Sequence, residues 1–374
     1  MRLSAISFRA AVILIVVVSF AILFARGRPI GGGGAVEPLL FASALHQPRG
    51  LAAGADGLIY VAEAGVAGAA RGRISRLDPA ARPAASPVPL VEGLPAAEAG
   101  LPLFAQPGPS AAVPNPVTVP SAPAPAIVFL GPASGSPAGS VQRLIGEAGE
   151  WRLDPPVSLA EALAPDGAAS TAPGEWPPSA PWGAAVGRDG AVYLALPAAN
   201  RLIRLTLSAP DAAPPVQASV VTGFVGEGQR NPHPTGAAVA PDGTLYVALF
   251  GTEPFTAGTG RIVKVDADGR WQPLYDALNF PIALAVAPDG QLFVLEFASR
   301  YDQRTGRFAP GSGRLLAVGP SPARRRVVVR DLSYPTALVF SPAGDAYFTE
   351  HGALSGAGEG RVLRVPAQTM RLYR

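Results

Sequence analysis

The amino-acid sequence predicts an all-β protein, a six-bladed β-propeller with four-stranded blades. Three observations support this fold class. Glycine (43 residues) and proline (42) are abundant among the 374 residues, which opposes long helices and favours short strands joined by tight turns. A motif that starts at a proline and contains Asp-Gly recurs along the chain. Finally, one strand-like segment near the N-terminus has no blade of its own.

The first predicted element is a hydrophobic helix. Residues 10–25 form an uncharged apolar run with arginines on both sides. A helix of this length spans about 24 Å, which suits a signal sequence or an uncleaved signal anchor. We expect residues 1–28 to tether the protein to a membrane and the glycine-rich residues 29–35 to act as a flexible linker. The propeller, residues 36–374, is then expected outside the cytoplasm, in the periplasm or at the cell surface, and secreted if the signal is cleaved.

Five copies of the motif align without gaps. In each copy a glycine follows the residue eight positions after the proline, and that residue is aspartate in four copies. Asp-Gly between two apolar, β-rich runs is typical of a tight hairpin, so each copy is predicted to open with two antiparallel strands. A third strand with an arginine near its start, and then a fourth, complete each blade. The copies begin at Pro48, Pro181, Pro234, Pro281 and Pro335.

A degenerate sixth copy fits the spacing of 133 positions from the first motif proline to the second. Its strands are predicted at residues 117–119, 127–130, 140–144 and 151–153, with the hairpin at 120–125. The six blade cores are thus predicted near residues 48–94, 113–163, 181–224, 234–278, 281–332 and 335–366. Residues 36–45 are expected to supply the fourth strand of the last blade, which closes the ring and leaves no open sheet edge. The first strands are rich in small residues, which suits the lining of a central channel.

One face of this ring, which we call the top face, carries both the loops before the motif prolines and the ends of the second strands. Three glutamates end second strands, each fifteen residues after its proline: Glu63, Glu296 and Glu350. Oxygen ligands from several strands suit Ca²⁺ or another divalent metal, and glutamate together with histidine suits zinc. Alternatively, each glutamate pairs with the arginine that opens the third strand of its own blade.

The top face also collects the three histidines and several polar or aromatic residues. His351 and His233 are candidate general acids or bases. The candidates for ligand binding are His46, Asn231, Asn279, Arg300, Tyr334 and Trp182. The insertions at residues 95–115 and 154–180 precede first strands, so we expect them to cover this face as partial lids. The alternative for the histidines is that they are surface or capping residues.

Composition and motifs exclude several functional classes. The absence of cysteine excludes disulfides, thiolate metal sites and a cysteine nucleophile. The net charge of +3 is spread along the chain, so we predict no nucleic-acid partner. The sequence contains no Walker loop, no H-E-x-x-H and no G-x-S-x-G motif. A small molecule or a protein is therefore the expected partner of the top face.

The repeats resemble those of the ScyD/ScyE family, six-bladed propellers of the NHL or TolB type named after proteins linked to scytonemin pigment biosynthesis. The stretches that carry the resemblance are residues 47–65, 234–265 and 281–299. The resemblance implies an exported propeller without a defined biochemical activity. Together with the tether, it favours a membrane-anchored binding module that takes a small molecule or a protein on its top face.

A second, shorter resemblance points to an enzyme. Residues 347–352, Tyr-Phe-Thr-Glu-His-Gly, are similar to a T-E-H-G stretch of quinone-dependent sugar and sorbosone dehydrogenases, which are also six-bladed. Gluconolactonase-like propellers, with a metal on the axis, are similar only at the level of the fold. The alternative function is thus a metal- or quinone-assisted enzyme on a sugar- or lactone-like substrate. In it the three glutamates would hold the ion, and His351 or His233 would act as the base.

Overall fold

The computed structural model describes most of the chain downstream of the predicted membrane segment. The described residues are 34–81, 85–98, 103–114, 126–131, 139–147, 149–163, 180–208, 216–224, 231–319 and 325–373. The predicted N-terminal helix and the predicted hairpin at residues 120–125 lie outside these ranges. In the part of the chain that the structure describes, no helix combines the length and the apolar character needed to span a membrane.

The predicted Asp-Gly hairpins are confirmed, and their geometry explains the motif. In four blades the aspartate Oδ1 accepts a hydrogen bond of 2.9–3.1 Å from the backbone N–H two residues later. The following glycine has a φ of +78° to +91°, a conformation that other residues rarely adopt. These turns are Asp56-Gly57, Asp189-Gly190, Asp242-Gly243 and Asp289-Gly290. Local side-chain chemistry therefore sets the register of the first two strands.

The described residues form six antiparallel blades, and the first strand, β1 (Leu39–Leu45), precedes all the blade hairpins. Blade one contains β2 (Pro48–Ala53), β3 (Ile59–Glu63), β4 (Gly72–Leu77) and β5 (Val88–Leu94). Blade two contains β6 (Gly108–Pro114), β7 (Ala126–Gly131) and β8 (Ser140–Glu147), with both β9 (Glu150–Leu153) and β10 (Val157–Ser158) paired to β8. Blade three contains β11 (Ala184–Val186), β12 (Val192–Leu196), β13 (Arg201–Leu207) and β14 (Val216–Gly223).

The later blades follow the same order. Blade four contains β15 (Pro234–Val239), β16 (Leu245–Leu249), β17 (Gly260–Val265) and β18 (Trp271–Leu278). Blade five starts with β19 (Pro281–Val286) and β20 (Leu292–Glu296), carries a small hairpin of β21 (Tyr301–Asp302) and β22 (Arg307–Phe308), and continues with β23 (Gly313–Val318) and β24 (Arg325–Leu332). Blade six contains β25 (Leu338–Phe340), β26 (Ala346–Glu350) and β27 (Gly360–Val365). The described helices are short: α1 (Leu159–Ala162), α2 (Ala367–Met370) and 3-10 turns at Leu103–Ala105 and Arg371–Tyr373.

The N-terminal strand closes the ring, as predicted. β1 pairs antiparallel with β27, with Leu39 opposite Arg364 and Leu45 opposite Gly360. Phe41 of β1 packs edge-on against Tyr347 of blade six, with ring centroids 4.9 Å apart. An early and a late segment of the chain thus share one sheet, so blade six has four strands like its neighbours.

Blade two requires a correction. Its first strand was expected at residues 117–119, which lie outside the described residues, whereas the strand that pairs with β7 is β6. Pro109 lies opposite Leu130 in this pair, just as Pro48 lies opposite Glu63 in blade one, so Pro109 is the missing motif proline. The small residues after it continue the pattern of the other first strands. The other three predicted strands are confirmed, although the fourth strand is divided into β9 and β10.

Small residues allow the six first strands to approach each other around the axis. A Cβ on Gly183 would lie 2.3 Å from the carbonyl oxygen of Thr235 and 2.5 Å from the Cα of Gly236, so this position requires glycine. The hydroxyl of Thr235 donates to the carbonyl of Pro281 in the next blade at 2.7 Å. Apolar layers fill the space between neighbouring blades. The first strands enclose the predicted central channel, a cavity of about 300 Å³.

Ring closure by β1 leads to a stability prediction. Ala42 of β1 is fully buried between blades six and one, whereas its neighbour Ser43 is exposed. We expect Ala42→Glu to lower the free energy of unfolding by about 3 kcal/mol or more, because it buries an unpaired charge. The control Ser43→Glu should change it by less than about 0.5 kcal/mol. Denaturant unfolding measures both, and equal losses would contradict closure through β1.

Candidate functional site

The three predicted metal-binding glutamates end second strands on the top face, and each is enclosed by its own blade. Glu63 is 0% exposed and accepts hydrogen bonds from the backbone N–H of His46 and from Nε of Arg73, both at 2.7 Å. The Ser75 hydroxyl donates to the same carboxylate. Its oxygens are therefore satisfied within blade one and the loop before it.

Glu296 and Glu350 repeat this arrangement. Glu296 accepts from the backbone N–H of Asn279 at 2.7 Å and pairs with Arg314. Glu350 accepts from the backbone N–H of Ser333 at 3.0 Å and lies 3.7 Å from Arg361. Burial raises the pKa of Glu296, and its hydrogen bonds offset part of that rise. In all three blades the carboxylate ties the third strand to the loop that precedes the first strand.

This geometry favours the alternative reading, in which the glutamates brace their blades. Within the described ranges, no three His, Asp or Glu side chains converge as they would around a metal ion. Blades three and four have leucine at the glutamate position, and their arginines find other partners: Arg261 lies 3.6 Å from Asp276, and Arg201 donates to the carbonyl of Asn200 at 3.4 Å. The structure thus separates Glu63, Glu296 and Glu350 instead of gathering them.

His233, one of the two predicted catalytic bases, is buried among aromatic rings. Its Nδ1 contacts the carbonyl of Pro197 at 3.2 Å, and its ring lies 5.5 Å from Phe104 and 5.7 Å from Phe255. Burial lowers the pKa of His233, so the ring is neutral at pH 7 and Nδ1 carries the proton donated to that carbonyl. Its Nε2 faces the exposed carboxylate of Glu253 at 3.8 Å.

His46 and His351 lie in loops of blades one and six. Nδ1 of His46 accepts a hydrogen bond of 2.9 Å from the backbone N–H of Gly358. His351 has a φ of +55°, and its backbone N–H donates to the carbonyl of Ser333 at 2.8 Å. The carbonyl of His351 in turn accepts from the Ser355 hydroxyl at 2.7 Å. Its imidazole ring makes no hydrogen bond to another described residue and is only partly buried.

Three predicted ligand-binding residues lie near the surface of the top face. Asn231 and Arg300 are exposed, and Asn279 is half-buried beside Glu296. The Asn231 Oδ1 accepts a long hydrogen bond of 3.4 Å from Asn200. None of the three lies in the wall of the two cavities described below.

An aromatic lid, of which only Tyr334 was predicted from the sequence, covers the top face over blades four to six. The Tyr334 hydroxyl donates to the carbonyl of Phe308 at 3.1 Å. Ring centroids of contacting pairs in the lid lie 4.7–6.2 Å apart. The lid consists of Phe104, Phe250, Phe255, Phe280, Phe297, Tyr301, Phe308 and Tyr334.

The two predicted insertions differ in what they cover. In the first, the 3-10 turn at Leu103–Ala105 places Phe104 against Trp182, with ring centroids 5.2 Å apart, so this segment does cover the channel mouth. The described part of the second insertion, residues 154–163, instead continues along the outer edge of blade two as β10 and α1. Its last residue, Ala180, donates its backbone N–H to the carbonyl of Phe104 at 2.7 Å.

The channel mouth holds two residues with unsatisfied donors, the predicted Trp182 and the unpredicted Arg49. Arg49 is 2% exposed, and its guanidinium carbon lies 5.6 Å from the centre of the Trp182 ring. Its Nη2 donates to Oε1 of Gln47 at 3.2 Å. Among the residues that the structure describes, Nε and Nη1 of Arg49 and Nε1 of Trp182 have no hydrogen-bond partner. Burial lowers the pKa of the Arg49 guanidinium to about 9, which leaves it charged at pH 7.

Arg49 lies in the wall of two cavities. One is the channel itself, whose wall consists mainly of glycine, alanine, valine and leucine from the first strands. The other, which we call the top-face cavity, has a volume of about 400 Å³. Loops of blades one and six and the segment before β6 form it, and its wall includes Gln47, Ala67, Glu98, Leu103, Gln106 and Leu354. The Arg49 side chain therefore forms the boundary between the two cavities.

The aligned motifs contained a signal for Arg49. The residue after each motif proline is buried, and it is Arg49, Ser110, Trp182, Thr235, Ile282 or Thr336. Thr235 and Thr336 use their hydroxyls to bond the next blade, and Ser110 bonds a carbonyl of its own blade. Arg49 is the one charged residue among the six at this motif position, and this difference distinguishes it in the aligned sequence.

Comparison with known proteins supports the fold. No family model matches the chain, and no curated protein sequence matches it. The PQQ-bound aldose sugar dehydrogenase of Streptomyces coelicolor is similar in structure, with a TM-score of 0.57, 14% identity, and coverage of 90% of this chain and 98% of that one. A proposed oxidoreductase (glucose dehydrogenase) of Thermus thermophilus has a TM-score of 0.55, 20% identity, and coverage of 89% and 99%. A gluconolactonase of Xanthomonas campestris has a TM-score of 0.50, 14% identity, and coverage of 91% and 99%.

At these identities the likeness establishes the six-bladed propeller fold and nothing finer. The propellers of sugar dehydrogenases and gluconolactonases are structural neighbours of this chain. None of the comparisons shows membership of the ScyD/ScyE family.

The brace around Glu63 can be tested by a double-mutant cycle. We expect Glu63→Gln and Arg73→Met each to lower the free energy of unfolding by about 3 kcal/mol, because each leaves a buried partner unpaired. The double variant should lose less than the sum, with a coupling of about 1–3 kcal/mol. Metal content by elemental analysis should not change.

The matched control is Arg261→Met, whose partner Asp276 is 67% exposed; we expect a loss below about 1 kcal/mol. A Glu63→Gln protein that kept its stability but lost a stoichiometric metal ion would overturn the brace.

Proposed function

We propose that this protein is a small-molecule-binding propeller whose site is the top-face cavity together with the channel mouth. The observation that carries this proposal is Arg49, a buried charged side chain with two unpartnered nitrogens in the wall of both cavities. An uncompensated buried charge and unpaired donors both cost folding free energy. A ligand with hydrogen-bond acceptors and a negative charge would satisfy these donors and compensate the charge of Arg49.

The size and lining of the site support this function. Cavities of about 300 and 400 Å³ lie at the lower end of the range for small-molecule sites, and such sites combine apolar walls with a few convergent polar groups. Residues before motif prolines also have the left-handed conformation that is uncommon outside glycine, namely Gln47 (φ +49°), His233 (+52°), Phe280 (+50°) and Tyr334 (+49°). Backbone strain of this kind clusters at ligand sites.

We further propose that the propeller is of the ScyD/ScyE type and works outside the cytoplasm, tethered by residues 10–25. The repeat residues 47–65, 234–265 and 281–299 support the first part, and the apolar run flanked by arginines supports the second.

A topology reporter tests the export proposal. Alkaline phosphatase, which is active only outside the cytoplasm, should be active when fused after Tyr373, and β-galactosidase at the same place should be inactive. Deletion of residues 10–25 should reverse both results. The opposite pattern in the full chain would place the propeller in the cytoplasm and overturn this proposal.

Two observations favour an alternative, an enzyme acting on a sugar or a lactone. The structural neighbours include a sugar dehydrogenase and a gluconolactonase. The imidazole of His351 makes no hydrogen bond to a described residue, which leaves its nitrogens available for proton transfer. The glutamates do not fit a metal-assisted quinone, because Glu63, Glu296 and Glu350 are already held by arginines and backbone N–H groups. We therefore assign no reaction step to a metal or a quinone.

The binding proposal is tested by blocking the top-face cavity. The full chain in detergent is screened against organic acids, sugars, lactones and nucleosides by ligand-observed NMR, and binders are titrated by calorimetry. Ala67 lies in the wall of the top-face cavity, whereas Ala69, in the same loop, does not. We expect Ala67→Trp to weaken binding at least tenfold and the control Ala69→Trp to leave it unchanged.

Equal affinities in both variants, or no binder at all, would contradict a site in this cavity. Turnover of a sugar or lactone that is lost in His351→Ala would favour the enzyme.

A further inference from the structure

We propose that the ligand is an apolar monocarboxylic acid whose carboxylate binds Arg49 and Trp182 where the top-face cavity meets the channel, and whose apolar body lies in the channel. This inference rests on the proposed function and names its ligand class. It follows from three properties of the channel mouth: its hydrogen-bond donors without a described partner, the uncompensated positive charge of Arg49, and the apolar side chains of the channel wall.

The polar atoms without a described partner at the mouth are buried donors. A guanidinium has five N–H groups, and Gln47 takes one hydrogen from Nη2 of Arg49. Gln47 uses only one of the two hydrogens on Nη2. One pair of parallel N–H groups therefore lacks a partner among the described residues, either Nε with Nη2 or Nη1 with Nη2. Trp182 adds the N–H of Nε1, which has no partner in the described part of the protein. A planar carboxylate accepts two parallel hydrogen bonds from such an edge and a third from a neighbouring donor.

The mouth needs one negative charge. Arg49 is the only charged residue among the described residues of the channel wall. It forms no ion pair with a described carboxylate, and burial alone accounts for its lowered pKa. The acidic residues of the neighbouring top-face cavity, Glu98 and Glu359, are exposed, and Glu359 accepts from the backbone N–H of Gly356 at 2.8 Å. One carboxylate balances one guanidinium, whereas a phosphate dianion would leave an uncompensated charge in a buried place.

The wall below the mouth favours an apolar ligand body. Thr336 carries the one hydroxyl among the described residues of that wall, and this hydroxyl donates to the carbonyl of Pro48, so it does not need the ligand. Further down, the channel is lined by small and apolar side chains, such as Ala184 and Phe340. An alkyl or aryl group gains apolar contact with these side chains.

Calorimetry on the full chain with butanoate, hexanoate, octanoate and benzoate tests this proposal. We expect affinity to rise about fourfold for each added methylene group until the channel is filled. Hexanamide, the neutral counterpart of hexanoate, should not bind measurably. Inorganic phosphate should bind at least a hundredfold more weakly than hexanoate. Ala184→Leu narrows the channel and should weaken octanoate more than butanoate.

Variants at the mouth separate charge, geometry and fold. Arg49→Met should weaken hexanoate at least a hundredfold, and Arg49→Lys, which keeps the charge without the two-point edge, should give an intermediate affinity. Trp182→Phe keeps the ring but loses the N–H donor, and we expect about a tenfold loss. Ligand-free Arg49→Met should melt no lower than the unsubstituted protein, because the change removes an uncompensated charge, so lost binding cannot be ascribed to unfolding.

The outcomes separate this inference from the proposed function. A neutral molecule that binds equally well to Arg49→Met and is blocked by Ala67→Trp would overturn the carboxylate and leave the small-molecule site standing. Phosphate that binds as well as octanoate, with no dependence on chain length, would overturn the apolar body. If no small molecule binds, both the inference and the proposed function fail.

Discussion

The close approach of six first strands to one axis is the constraint on which the rest of this structure depends. Six blades can meet only if the residues that face each other there are very small, as at Gly183, where a single added Cβ would collide with the next blade. Hydroxyls at Thr235 and Thr336 then link successive blades through short hydrogen bonds to proline carbonyls. Packing between blades and the narrow channel both follow from this crowding.

The candidate site arises where this constraint is relaxed. Blade two contributes Ser110 to the ring of residues after the motif prolines, and the blades on either side of it contribute Arg49 and Trp182. The two large side chains meet at 5.6 Å, which the short serine between them permits. The charge and the unpartnered hydrogen-bond donors at the axis therefore lie next to blade two, whose sequence is the most irregular of the six. The glutamates follow the regular pattern, and they stabilise individual blades.

Local chemistry explains which features could be predicted from the sequence. The Asp-Gly turn involves residues close in sequence, so the hairpins, their register and the spacing of the blades could be predicted from the repeat alone. The closing strand could be predicted because blade six lacked a fourth strand and residues 36–45 had no partner. The first strand of blade two was misplaced because Pro109 is not followed by the Asp-Gly turn that marks the other copies.

The site was harder to predict because the residues that form it are far apart in the sequence. Nothing local in the sequence shows that Arg49 faces Trp182, more than a hundred residues away. The aromatic lid is likewise assembled from loops of several blades, and only Tyr334 was expected in it. For Glu63 the sequence did offer the correct partner, Arg73, but a carboxylate at a strand end is compatible with either a brace or a ligand until its hydrogen bonds are known.

Pairing of β1 with β27 also determines the order in which this chain is able to fold. The opposed residues Leu45 and Gly360 are 315 positions apart in the sequence, so the last sheet is completed only after β27 has emerged from the ribosome. Until then the first segment has no partner, and the outer edge of an incomplete blade six stays open to pairing with another chain. Contacts this distant in sequence make folding slow, because the loop must be closed before they form. The strand that closes the finished ring is therefore among the last to find its partner in the nascent chain.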